Sequence, residues 1–275
     1  MVKFLMFINK FFKKPQHPFN MQNNNTKTYA EWQFEKGENT IAFYLKKYTS
    51  DEMFKGKRVL DIGCGAAGKS LYYASIGAEH VTGIDVVERY KDEAESLARK
   101  LELSHKFTFV CGDASKLPFD DNSFDTIIMN DAMEHVAEPE KVLDDCMRVL
   151  TPGGRIYINF PPYNHPFGAH LSDAISIPWV HCFFSTSTLI NAYKNLVKDL
   201  PDGEQRIDFR ISKDKNGEEY FSYINKMTIK RFDNIIKNRP VVYYMREGFN
   251  AILSKLAPEF FTRMVVCVLK KAERT

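Results

Sequence analysis

Arg58-Val59-Leu60-Asp61-Ile62-Gly63-Cys64-Gly65-Ala66-Ala67-Gly68 is the stretch that decides the fold. An apolar run reaching Ile62 reads as a buried strand, and the residues after Gly68 read as a helix. Gly63, Gly65 and Gly68 therefore fit G-x-G-x-x-G between a strand and a helix, the context in which that spacing carries meaning. Glycine there lets the backbone turn tightly and lets a ligand approach the main chain. Asp85 closes the next strand, 22 residues after Gly63. An acid at that point accepts hydrogen bonds from both hydroxyls of a ribose, so a nucleoside-bearing ligand is expected. Asp61 stands near where a pyrophosphate would sit, and its carboxylate would repel one. A ligand with a ribose, no phosphate and a cationic amine suits it better.

Outward from this loop the same alternation repeats. Residues 80–86 read as a strand, 88–101 as a charged helix, 107–113 and 124–131 as strands, 139–150 as a helix and 155–162 as a strand. Short apolar runs alternating with amphipathic stretches give an α/β, doubly wound, mostly parallel sheet with helices on its faces. Upstream, residues 31–48 read as a helix or helix pair. Beyond Tyr163 the order loosens; residues 163–226 hold a helical stretch near 186–199 and a hairpin-like piece around Lys215-Asn216-Gly217, and read as an insertion after the fifth strand. Regular alternation returns with a helix over 228–237 capped by Thr228, a strand over 240–246, a short helix over 249–256 and a final strand over 263–271.

The blocks VLDIGCGAAG (59–68), GIDV (83–86), GDASKLPFDDNSFDTIIMNDAMEHV (112–136) and LTPGGRIYI (150–158) together resemble the class I S-adenosylmethionine-dependent methyltransferases, in the small-molecule and lipid-type group. The resemblance is strong over about residues 57–160. It implies a seven-stranded Rossmann-like sheet, S-adenosylmethionine as cofactor and a small, apolar or lipidic methyl acceptor. Carried over residue by residue, it puts Asp61, Gly63 and Gly65 beside the methionine portion and Asp85 at the ribose. Asp113 and Ala114 fall at the adenine, and Asn130 faces the methionine part and the transfer site. Asp85 and Asp113 also have plainer readings as a helix cap and a turn anchor. His135 either reaches the cleft or fixes the loop after the fourth strand. Asn159-Phe160-Pro161-Pro162-Tyr163 is similar to the Asn-Pro-Pro-Tyr motif of adenine and glutamine amino-methyltransferases. A phenylalanine breaks its spacing and it ends the fifth strand, so it reads as a strand exit.

His165, His170 and His181 crowd one short stretch of the insertion with Asp173 among them, three of the chain's seven histidines. They are candidate bases for deprotonating an acceptor hydroxyl or phenol, since imidazole titrates near working pH. Metal binding and a structural part in a lid are the alternatives; no i, i+4 pair of histidines marks a preformed metal site. Ile175, Ile177, Pro178, Trp179, Phe183 and Phe184 line an apolar acceptor pocket or form the insertion's own core. Competing activities are a dinucleotide-dependent oxidoreductase, which Asp61 opposes, and a non-catalytic S-adenosylmethionine-binding module.

The 275 residues are 44% hydrophobic and 27% charged, with a net charge of +3, which excludes wholesale disorder and gives no reason to expect nucleic acid as a partner. Five scattered cysteines without C-x-x-C spacing read as reduced thiols. No run approaches the roughly 18–20 apolar residues a bilayer span needs, and Asn9 and Lys10 interrupt the N-terminal run early, so the chain is expected in the cytoplasm. Residues 2–14 predict an amphipathic helix. At about 100° per residue, Phe4, Leu5, Phe7, Ile8, Phe11 and Phe12 share one arc. Lys3, Asn9, Lys10, Lys13 and Lys14 lie opposite, with Met6 out of place. Such a helix meets a membrane surface, closes over a greasy substrate or docks on its own domain. Residues 15–27 read as a flexible polar connector. The oligomeric state is not set by the sequence.

Overall fold

In the computed structural model, which describes residues 1–13, Asn20 and 27–273, the apolar run at residues 58–62 becomes strand β1 (Arg58–Ile62), buried after its first residue. Strands β2 (His80–Asp85), β3 (Phe107–Cys111), β4 (Phe124–Asn130) and β5 (Leu150–Phe160) follow. A short antiparallel hairpin, β6 (Ile211–Lys213) and β7 (Glu219–Phe221), lies where the Asn-Gly turn was expected. Strands β8 (Val241–Gly248) and β9 (Thr262–Lys270) close the series. The main sheet has seven strands in the order β3-β2-β1-β4-β5-β9-β8. Pairings among β1–β5 are parallel, and β9 runs antiparallel to β5 from Arg155↔Lys270 to Phe160↔Val265. The order reverses between β1 and β4, so the loops leaving those two strands diverge at a topological switch point, where open α/β sheets bind ligands.

The chain divides into two compact units. One comprises residues 27–160, 231–247 and 264–275 and holds the sheet; the other comprises 1–26, 161–230 and 248–263. In the sheet unit, Val59, Tyr73, Val81, Ile128, Tyr157 and Val266 belong to one buried cluster. The helix Tyr29–Glu35, opened by a capping box of Thr28 and Glu31, packs on the helix Gly68–Ser75. A Cβ on Gly68 would lie 1.9 Å from the Ala30 carbonyl oxygen, so the third glycine of the loop permits this close helix contact.

Two boundaries differ from the sequence reading. β5 begins at Leu150, because the register shifts near its start: β4 advances from Phe124 to Thr126 while β5 advances from Leu150 to Arg155. The helix expected over 249–256 starts only at Leu253, because the Asn250 side chain accepts from the Ile252 and Leu253 amides; Pro258 then opens a second helical turn, Pro258–Phe261. The connector read over 15–27 lies outside the described residues except for Asn20 and Lys27. No helix among the described residues is long and apolar enough to cross a membrane.

The second unit has its own core, built from Leu171, Ile175, Ile190, Tyr193, Val197 and neighbours. At its centre Asp173 is fully buried between two arginines that are almost as inaccessible. Its carboxylate accepts from Arg206 Nη1 at 3.2 Å, Arg210 Nη2 at 2.9 Å and the Tyr193 hydroxyl at 2.8 Å. Asp173 is thus committed to guanidinium groups, which removes the acid from a metal set with the insertion's histidines.

The N-terminal helix, Val2–Asn9, joins this core by one edge of its apolar arc together with part of the arc read as polar. Leu5 is buried, and Asn9, placed on the polar arc, is 7% exposed. The Asn9 amide donates to the Ala174 carbonyl and accepts from the Ser176 amide, both at 2.8 Å. Met6, anomalous on the wheel, packs on the same core. Asn9→Ala should lower stability by about 1–3 kcal/mol, since it strands a buried donor and a buried acceptor. Chemical denaturation of the full chain measures it; an unchanged midpoint would show that Asn9 does not hold the helix.

Candidate functional site

β1 delivers Asp61 to the carboxyl edge of the sheet, and the chain then turns through Gly63 (φ 68°) and Gly65 (φ 56°) before the helix Gly68–Ser75 starts. The Gly63 amide donates to the Ile84 carbonyl at 2.9 Å, which holds the loop against the end of β2. Asp85 completes the link. Its Oδ2 accepts from the Gly65 amide and its Oδ1 from the Val87 amide, each at 2.9 Å. The plain reading of Asp85 as a local cap therefore holds alongside the ligand reading, because each carboxylate oxygen keeps a second lone-pair direction. Burial raises the Asp85 carboxyl above its ordinary range, with the Val87 and Gly65 amides pulling it back down.

Asp61 is 3% exposed and accepts from the Ser70 hydroxyl at 2.6 Å. Burial pushes its carboxyl up to about 6, against lowering by Ser70 and Lys69, and the charge of Asp85 adds to the rise. A buried carboxylate of this kind favours a cationic ligand group and opposes a pyrophosphate.

Above the glycine loop lies a feature the sequence reading missed. The helix Tyr29–Glu35 straddles the loop through Gln33, whose Nε2 donates to the Cys64 carbonyl at 3.4 Å and whose Oε1 accepts from the Gly68 amide at 3.2 Å. A Cβ on Gly65 would fall 3.3 Å from the Tyr29 ring, so only glycine keeps this space open. Tyr29 also pairs with Tyr90 at a ring-centroid distance of 5.8 Å. Burial, with Tyr90 and Asp85 nearby, drives the Tyr29 phenol far above its ordinary range. The capping box Thr28-x-x-Glu31 is the sequence signal that places this helix's start.

Asp113 is exposed; its Oδ1 accepts from the Ser115 amide at 2.8 Å, and Ala114 beside it is buried. Asn130 stands differently from expectation. Its Oδ1 accepts from the Tyr44 hydroxyl and from Asn159 Nδ2, both at 2.7 Å, and its Nδ2 donates to the Tyr73 hydroxyl at 3.0 Å. With the amide engaged by three protein partners, Asn130 acts as a buried cross-link of β4, β5 and two helical segments, and the expectation that it faces the methionine part loses its support. Past β4, Glu134 is a second group the sequence reading passed over. It is 3% exposed, and burial together with the charge of Asp131 raises its carboxyl well above the ordinary range. His135 Nε2 lies 3.9 Å from Glu134 Oε1.

His165, His170 and His181 all belong to the second unit. His165 Nδ1 accepts from the Phe167 amide at 2.9 Å, and burial lowers its pKa to about 4, so its neutral ring carries the proton on Nε2. That leaves no lone pair for a base. His170 adopts a left-handed backbone (φ 52°) near the Tyr223 ring. The Trp179 indole nitrogen is buried without a hydrogen-bond partner, and the Tyr163 backbone acts on the buried His181 ring. Burial lowers the His181 pKa, and its ring lies 4.8 Å from that of Tyr163.

The model of the methyltransferase domain family matches residues 60–158, which span the first five strands nearly whole. Over residues 60–158 the chain is similar to a methyltransferase domain. Curated relatives align over this domain. The sterol 24-C-methyltransferase of Gibberella zeae is 41% identical over 99 residues, 36% of this chain and 26% of its own. The demethylmenaquinone methyltransferase of Clavibacter sepedonicus is 41% identical over 103 residues, 38% of this chain and 40% of its own. The ubiquinone biosynthesis O-methyltransferase of Coxiella burnetii is 33% identical over 135 residues, 49% and 56% respectively. The chain thus spans between about a quarter and just over half of these relatives' lengths. Among solved structures, an S-adenosylmethionine-dependent methyltransferase from Mesorhizobium loti shares the fold with a TM-score of 0.52 at 14% identity, covering 88% of this chain and 98% of its own. One from Methanosarcina mazei has a TM-score of 0.50 at 22% identity, covering 84% and 98%.

The buried Asp61 carboxyl has a measurable consequence. The folded chain holds the Asp61 proton more tightly than the unfolded chain, whose carboxyl titrates near 3.8. Stability therefore falls as pH rises from about 4 to about 6, and the full penalty of about 3 kcal/mol stands above that. Asp61→Asn should stabilise the ligand-free protein at pH 7.5 by about 1–3 kcal/mol, with the difference closing toward pH 4. Urea melts across that range test it; a variant less stable at pH 7.5 would contradict the assignment.

Proposed function

We propose that the chain transfers a methyl group from S-adenosylmethionine to a small apolar or lipidic acceptor. The observation that carries this reading is the Asp85 carboxylate, held at the end of β2 by the amides of Gly65 and Val87 and so aimed beside a glycine loop that leaves its backbone open. Asp85 accepts the ribose hydroxyls, and Asp61 balances the cationic amine of the methionine part. Gly63 and Gly65 admit the ligand to the main chain, Asp113 and Ala114 border the adenine, and Tyr29 and Gln33 form a roof over the loop. These residues fit the cofactor chemically: the acids face its ribose and its cation, and Lys69, which follows Gly68 where a P-loop carries its phosphate-binding lysine, is ion-paired with Asp131 at 3.2 Å. When bound, S-adenosylmethionine supplies a methyl group already activated by the sulfonium. What the protein then adds is alignment of the acceptor and an outlet for its proton.

The acceptor class follows from the relatives, whose names specify sterol, demethylmenaquinone and ubiquinone-pathway methylation. In the second unit, residues 163–226 form the substrate lid. Within it His181 is the preferred base of the three histidines, because the Tyr163 backbone favours its protonated form, whereas His165 Nδ1 accepts from the Phe167 amide. His170 lines the same segment. Contact with a membrane surface through residues 2–14 brings the chain to a lipidic acceptor.

Asp85→Ala should raise the Kd for S-adenosylmethionine by about 100-fold or more, since two hydrogen bonds to a charged acceptor are each worth roughly 1.5–3 kcal/mol. Calorimetric titration of the folded variant checks this, and unchanged affinity would remove the cofactor assignment. His181→Ala should lower turnover at least about tenfold while leaving cofactor affinity intact. Turnover equal to the parent's would exclude it as the base.

A further inference from the structure

The docking of the N-terminal helix leaves the opposite face bare. Leu5 and Asn9 turn inward, while Phe4, Phe7 and Phe11 are 56%, 57% and 74% exposed. Phe7 and Phe11 pack edge to face at 5.3 Å, forming an aromatic ridge that no other described residue covers to any comparable degree. Lys3, Lys10 and Lys13 are exposed around it, and residues 1–13 contain no acid. Single exposed phenylalanines are ordinary on a protein surface, but three within one short N-terminal segment rimmed only by cations are not.

We propose that this ridge is a prebuilt insertion surface for an anionic lipid bilayer, displayed by a helix that stays docked on its own unit. The inference rests on the membrane-contact reading above and deepens it by naming the side chains and the state of the helix. A free amphipathic helix would bury Leu5 in lipid along with the phenylalanines. Here Leu5 is already inside the protein, and Asn9 pins the helix through the backbone of Ala174 and Ser176. The helix therefore reaches lipid without first losing its fold, and the ordering penalty that disordered anchors meet on binding is already met. Charge selects the occupant: three lysines without a counter-acid match anionic headgroups, and the rings sit at the depth where aromatic side chains favour the interface. The same unit exposes Ile252 and Leu256, 69% and 78% accessible, on a second apolar segment that lipid would also accommodate.

Sedimentation of the full chain, without S-adenosylmethionine, against vesicles of phosphatidylcholine alone and of phosphatidylcholine with phosphatidylglycerol at about 7:3 tests the proposal. The anionic vesicles should bind at least about tenfold more tightly than the neutral ones. The triple variant Phe4→Ser, Phe7→Ser, Phe11→Ser should lose at least about tenfold in affinity with its melting temperature unchanged, because all three rings face solvent. Hydrogen exchange at the Ser176 amide should stay slow on the vesicles. Absence of binding to either vesicle would defeat membrane contact altogether. Binding that the triple variant retains would keep membrane contact and overturn the ridge, and loss of Ser176 protection on vesicles would overturn the docked helix. Methyl transfer to a detergent-solubilised acceptor reads out the catalytic assignment separately, and the triple variant should retain it.

Discussion

The hydrogen bond from the Gly65 amide to the Asp85 carboxylate, at 2.9 Å, is the constraint on which the site depends. It ties the loop after β1 to the end of β2, two strands that are already in parallel register from Arg58↔His80 to Ile62↔Ile84. Without that tie, a loop of glycines in left-handed conformations would be free to sample many others, since glycine gives up more backbone freedom than any residue on ordering. With it, the loop is shaped before any ligand arrives. The roof formed by Gln33 and Tyr29 depends on the same shape, because Gln33 bonds the Cys64 carbonyl and the Gly68 amide on either side of the turn.

Preorganisation of this kind concentrates unfavourable charge. The charge of Asp85 adds to the rise of the Asp61 carboxyl, and burial raises both. Glu134 adds a third buried carboxyl after β4. Under the proposed function, a ligand that carries a cation and ribose hydroxyls complements the first two. That is the usual exchange between stability and function at a built site. The second unit solves its charge problem internally: Asp173 is neutralised by Arg206 and Arg210 and needs no ligand.

The fold was legible in the sequence because every strand of the β1–β5 series carries a short apolar run, and because the glycine loop and Asp85 fall at strand ends that such runs define. Local spacing was enough for these residues. Asn130 shows where that stops: its position at the end of β4 was read correctly, yet its partners Tyr44, Tyr73 and Asn159 come from three separate elements, and only the folded chain shows its amide engaged. Tyr29 and Gln33 were missed for the same reason, since their role lies in contact with a loop some 30 residues downstream. The N-terminal helix failed on a different ground. A helical wheel assumes the apolar face is the buried one, but two specific hydrogen bonds from Asn9 to the backbone, together with Leu5 and Met6, outweigh the four phenylalanines left outside. Hydrophobic arcs rank faces by area alone and do not count hydrogen bonds.

Calorimetric titration of the full chain with S-adenosylmethionine and, separately, with NAD tests the reading of the glycine loop most directly. The buried carboxylate of Asp61 and the ribose acceptor at Asp85 predict saturable one-to-one binding of S-adenosylmethionine and no heat from NAD at the same concentration. Saturable binding of NAD with none of S-adenosylmethionine would contradict it.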